Sequence, residues 1–157
     1  MTRRGANVRL VPPLVFLVPL AVTIGSQVLL AWPGPLVTQW GGARLLSGSA
    51  LVVAGVALFA AGGRALLSRG TTVIPWHEVT TVVTTGIYAR TRNPIYVGDA
   101  VIYLGIAVAT GSWLALLVLP ALIALMNRFV IAREERYLTE RFGAAYTAYA
   151  ARVRRWL

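Results

Sequence analysis

Arg92-Asn93-Pro94-Ile95-Tyr96-Val97-Gly98 decides how this chain folds, because it sets a charge, a helix-starting dipeptide and an apolar run side by side. Asn is favoured just before a helix, and Pro at the first helical position gives up an N–H that would lack a helical partner anyway. A helix therefore starts at Pro94, and apolar sequence then runs from Ile95 to Thr110. Arg92 stands at its mouth. An ionisable group at the edge of a lipid-spanning segment marks a functional position by default.

Working outward, three further apolar stretches run over about Leu10–Ala31, Leu45–Leu67 and Trp113–Ile131, against a requirement of roughly 20 residues per crossing. The chain is 57% hydrophobic and 13% charged over 157 residues, more apolar surface than a soluble domain of that size hides. The expected fold class is all-α: a polytopic membrane protein with about four transmembrane helices, a cytoplasmic loop over Ser68–Asn93 and a C-terminal amphipathic helix. Only Gly111 and Ser112 separate the third and fourth spans, so these must form a tight helical hairpin. Gly48, Gly55 and Gly62 recur every seven residues in the second span and make a smooth face for close helix packing. Beyond Glu134, apolar residues at Leu138, Phe142, Tyr146, Tyr149, Val153 and Trp156 continue at a spacing of three or four, predicting one amphipathic tail helix. One domain, 1–157, is expected, with two spans in 1–67 and the motif-bearing half in 68–157.

All 15 basic residues are Arg. Arg3, Arg4 and Arg9 precede the first span, Arg44 alone lies between the first two, Arg69, Arg90 and Arg92 occupy the loop, and seven more follow Leu125. The positive-inside rule then places both termini and the loop in the cytoplasm of a bacterial-type inner or plasma membrane. The +10 net charge is assigned to orientation and contact with anionic lipid rather than nucleic acid. The absence of Cys excludes disulfides and thiolate chemistry, and a lone His77 excludes a His cluster, so no metal site is expected.

Arg92, the free N–H groups of the helix start and the positive helix end converge where a carboxylate or phosphate would bind. Asn93 reads as a cap or as a binding group. Tyr96, Asp99 and Tyr103 share one helix face by their spacing, and Asp99 is read as a structural partner of Arg90, Arg92 or Arg128 or as a reacting group. Arg128 and Glu135 lie seven residues apart on one face, with Glu134 turned toward Leu138 and Arg141, so that one Glu faces a cavity and the other solvent.

Thr71-Thr72-Val73-Ile74-Pro75, Gly86-Ile87-Tyr88, Arg92 to Gly98, Glu134-Glu135, Phe142-Gly143, Tyr146 and Tyr149 together, in this order and spacing, resemble the isoprenylcysteine carboxyl methyltransferase and phospholipid methyltransferase family of integral membrane enzymes. The resemblance covers roughly Ser68 to the C-terminus. It implies S-adenosylmethionine as cofactor at the cytoplasmic face and a lipidic or small hydrophobic acceptor, a prenylcysteine-like carboxylate or a phospholipid amine. The cofactor contacts expected are Tyr88, Arg92, Asn93, Pro94, Tyr96, Gly98, Glu134 and Glu135. Arg92, Glu135 and Asp99 are the candidate catalytic residues, and Arg128 and Tyr103 the candidate acceptor contacts. Asn93 stands where the eukaryotic prenylcysteine enzymes have His, which removes a titratable base from that position. The alternatives are a membrane reductase with a nicotinamide cofactor and a non-enzymatic helical module that binds anionic lipid.

Overall fold

A computed structural model describes residues 5, 6, 8, 10–30, 41–74 and 76–157. Arg3, Arg4, Arg9, Ala31 and Pro75, used above for orientation, span length and motif, lie outside the described residues. The described residues form helices joined by turns and one long loop, with no strand. They are α1 (Pro12–Leu29), α2 (Gly41–Leu67), a 3-10 turn (Gly86–Ala89), α3 (Pro94–Thr110), α4 (Trp113–Met126), a π-helical turn (Asn127–Ile131), α5 (Ala132–Phe142) and α6 (Ala144–Arg152). Three helical segments, Pro12–Leu29, Gly41–Leu67 and the continuous Trp113–Phe142, are long and apolar enough to cross a membrane, with α3 a shorter apolar helix between them. The chain is a polytopic all-α membrane protein. Arg44 is inside the first turns of α2, not in the connection before it, because α2 starts at Gly41.

Helix α3 is the hub, packing on α1, α2 and α4, with its most extensive contact to α2. The small-residue face of α2 explains that contact. A Cβ on Gly55 would meet the Gly98 carbonyl at 2.8 Å, and one on Gly48 would meet the Gly105 carbonyl at 2.6 Å, so the two backbones touch where neither helix has a side chain. On the other side Tyr103 joins three helices: its ring meets Phe16 of α1 edge-on at 6.1 Å, and its hydroxyl donates to the Ala115 carbonyl of α4 at 3.0 Å. The outward residues of α1 and α2, among them Leu17, Val22, Leu46 and Val53, stay exposed as a lipid-facing surface requires.

The hairpin between α3 and α4 follows from Gly111, which adopts φ 69°, while Ser112 N–H donates to the Ala107 carbonyl. This closes the end of α3 in the manner of a glycine helix stop. Gln27 near the end of α1 donates to the Gly111 carbonyl at 3.4 Å. The loop, the tail and the residues before α1 gather at the opposite end. There Gly5 N–H donates to the Trp76 carbonyl, Val79 N–H to the Tyr137 hydroxyl, and Arg141 pairs with Glu78 at 2.6 Å. The loop thus folds back over the helix ends.

The single tail helix expected from the apolar spacing is two helices. Gly143 at φ 53° divides α5 from α6, and because Phe142 and Tyr146 remain four residues apart the spacing runs through the break without registering it. After α6 the chain is extended at Val153 and returns to the start of α3.

Candidate active site at the membrane face

A cavity of about 130 Å³ lies where α3, α5, α6 and the long loop meet. Each wall comes from a local feature already described. Arg92 and Asn93 stand at the start of α3 because Pro94 begins it, and Tyr96 follows half a turn on. Glu134 and Glu135 lie in the first turn of α5. Tyr146 and Tyr149, three apart on α6, are both buried, with rings edge-on at 6.1 Å. The loop contributes Tyr88 from the 3-10 turn and apolar residues including Val73, Val79 and Val83, while Leu66 and Ile95 close the side toward α2 and α3. The cavity is therefore lined both by charged residues and tyrosines and by apolar side chains.

Both acids face this cavity. Glu134 accepts a 2.6 Å hydrogen bond from the Tyr96 hydroxyl. Glu135 accepts from Arg155 at 3.0 and 2.6 Å and meets Arg92 at 3.3 Å. The expectation of one acid in the cavity and one in solvent is corrected, because the groove is met from two sides: α3 reaches Glu134 and the chain after α6 reaches Glu135. The π turn before α5 also breaks the seven-residue register, since its wider ladder changes the angle between successive residues. Arg128, in that turn, is consequently exposed and away from the cavity that Glu135 lines.

Asn93 sits at the N-cap position of α3, yet its side chain makes no cap. Its amide N–H₂ donates at 2.8 Å to the backbone carbonyl of Arg155. Arg92 is held through its own N–H, which donates to the Arg154 carbonyl at 2.9 Å. Its guanidinium Nε is buried without a hydrogen-bond partner.

Tyr88, Arg92, Asn93, Tyr96, Glu134 and Glu135 are thus brought together, whereas five residues singled out with them are not. Pro94 is fully buried against α2 beside Gly62. Gly98 lies in the α2 contact, where a Cβ would stand 2.7 Å from the Phe59 nitrogen; its smallness serves helix packing. Tyr103 is spent on the joint with α1 and α4. Asp99 lines a separate crevice with Phe16, Leu20 and Tyr103 between α1 and α3, and its Oδ2 has no partner. None of the ion pairs of the described residues joins it to Arg90, Arg92 or Arg128. Conversely, Tyr146 and Tyr149 line the cavity and Arg155 braces it. The two tyrosines were visible as part of an apolar stripe. Arg155 carried no signal, because its pairing with Glu135 spans 20 residues and a helix break.

Electrostatics keep the phenols neutral. Burial pushes the Tyr88 hydroxyl well above its ordinary value of 10.0, helped by Tyr149 and Glu134. Tyr146 and Tyr149 are each pushed up to about 12, mainly by burial, with the Arg92 charge pulling partly the other way. These groups can donate hydrogen bonds and present ring faces near neutral pH, but they are not bases there.

Residues 43–145 match the sequence profile of the phospholipid methyltransferase family. The chain belongs to that family. An uncharacterised protein of Haemophilus influenzae is 41% identical to this methyltransferase over 63 residues, which is 40% of this chain and 100% of the other. No solved structure matches it. The family match begins within α2 and ends at the start of α6, so it takes in the cavity walls from α3, α5 and the loop but stops before Tyr146, Tyr149 and Arg155.

Proposed function

We propose that this methyltransferase uses S-adenosylmethionine, bound in the cavity at the cytoplasmic face, and transfers its methyl group to a lipidic or small hydrophobic acceptor. The observation that carries this reading is the mixed lining of the cavity. It offers the unpartnered Arg92 Nε, two carboxylates and five tyrosines, together with apolar side chains that include Leu66 of α2 and Ile95 of α3. Such a donor set fits a zwitterionic cofactor that carries a carboxylate and a sulfonium cation.

When bound, S-adenosylmethionine supplies an activated methyl group whose departure needs no acid. Arg92 binds the cofactor carboxylate. Glu134 and the faces of Tyr88 and Tyr96 offset the cost of holding a cation away from water. Glu135, with both oxygens engaged by guanidinium groups, acts through Arg92 rather than as a base. The loop over 72–83 excludes water and holds the acceptor in line, which is most of what this transfer requires of a protein. A carboxylate acceptor needs no base. For an amine, Glu134 takes the proton, as the cavity acid with no ion-pair partner among the described residues.

Calorimetry of the detergent-solubilised protein tests the assignment. S-adenosylmethionine should bind in preference to a nicotinamide dinucleotide. Arg92→Ala should weaken that binding by roughly ten- to a hundredfold, as loss of a charge-assisted contact of about 1.5–3 kcal/mol implies. Preference for the nicotinamide, or unchanged affinity in the variant alongside lost thermal stability, overturns it.

A further inference from the structure

The segment after α6 is tied to the start of α3 by successive residues. Arg154 accepts from Arg92 N–H at 2.9 Å. The Arg155 carbonyl accepts from both the Thr91 hydroxyl at 3.3 Å and the Asn93 amide at 2.8 Å. Trp156 donates from its indole N–H to Asn127 in the π turn at 3.0 Å. With its backbone so fixed, Arg155 turns its guanidinium onto Glu135 and makes the two-point fork, Nε to Oε1 and a terminal nitrogen to Oε2.

Glu135 therefore stands between two guanidiniums that hold it unequally. Arg155 has two contacts of 3.0 and 2.6 Å, while Arg92 has one of 3.3 Å and keeps a buried Nε with no partner. A bidentate guanidinium–carboxylate pair is the stronger arrangement, and Arg92 is the one denied it. The cluster's charge points the same way. Two guanidiniums and one carboxylate leave a net positive charge, whereas Arg92 and Glu135 alone would cancel.

We propose that Arg155 is a positioning residue for the cofactor site. By occupying Glu135 it keeps Arg92 from closing a neutral two-point pair and leaves the Arg92 guanidinium available to the carboxylate of the ligand in the cavity. This rests on the reading of the cavity as an S-adenosylmethionine site. Glu134 lies outside the competition, held by Tyr96. The role extends the binding machinery past the family-matched region, to a residue whose effect is on a neighbour's charge.

The test is a cycle of variants of the full chain in detergent, read by calorimetric binding of S-adenosylmethionine and by thermal unfolding without ligand. Arg155→Ala should weaken binding roughly tenfold, because Arg92 then collapses onto Glu135. Adding Glu135→Gln to that variant should return the affinity to within about threefold of the unsubstituted protein, since the competing charge is gone, without restoring the unfolding temperature. Arg155→Lys, which keeps the charge but not the fork, should fall between the two and covers the case in which the Ala variant does not fold. Unchanged binding in Arg155→Ala, or a double variant as weak as the single one, overturns the proposal and leaves the residue as a brace only. Failure of the unsubstituted protein to bind S-adenosylmethionine instead strikes the reading of the cavity, and is seen before any variant is made.

Discussion

At the scale of single residues, Asn93 shows how a favoured position acquires a different use. The sequence offered a cap or a donor to a bound group. The side chain is a donor, but to the Arg155 carbonyl, so an amide nitrogen is needed and a carboxylate is not a substitute. Asn93→Ala should lower stability by about 1 kcal/mol, the net worth of an ordinary hydrogen bond. Asn93→Asp should cost more, because it sets an acceptor against an acceptor. Unfolding in detergent orders the variants, and an Asp variant as stable as the original would contradict this contact. The α6 tyrosines give a pH dependence. Their folded values of about 12 exceed the ordinary 10.0, so their contribution to stability is complete below about pH 10 and is lost as pH rises through about 12. Tyr146→Phe should flatten the fall of unfolding temperature across that interval, and an equally steep fall would place its cause elsewhere.

At the scale of elements, local backbone chemistry was legible and long-range pairing was not. Pro94 and Gly111-Ser112 marked the ends of α3, and the α2 glycine stripe announced a close partner, because each is a demand that a residue makes on its own backbone or face. The π turn, the break at Gly143 and the fork from Arg155 to Glu135 left no periodic trace. The sequence groups Gly98 with a binding motif, whereas its neighbours on α2 require the same residue for packing. Gly98→Ala should destabilise the protein by about 1–3 kcal/mol, as overpacking against immovable backbone does. Gly63→Ala is the control, since its added Cβ meets only Val73, at 3.9 Å. Equal unfolding curves for the two would refute the tight α2–α3 contact.

At the scale of the whole molecule, the bundle has a working end, where the loop and tail gather, and a plain end, where Gly111 turns α3 into α4. From the arginine asymmetry we propose that the working end faces the cytoplasm. A cysteine placed at the exposed Thr110, beside that turn, should react with an impermeant reagent from outside intact cells, and one at Ala151 only after the membrane is opened; the opposite pattern would invert the protein. Helix α3 also differs in reach from its neighbours. Its 17 residues extend about 25 Å at 1.5 Å per residue, against a hydrocarbon layer of roughly 30 Å. A helix too short for its surroundings is met by thinning of the bilayer around it. The cavity lies at the start of that helix, so thinning of this kind would bring lipid headgroups toward Arg92 and Asn93 rather than away from them.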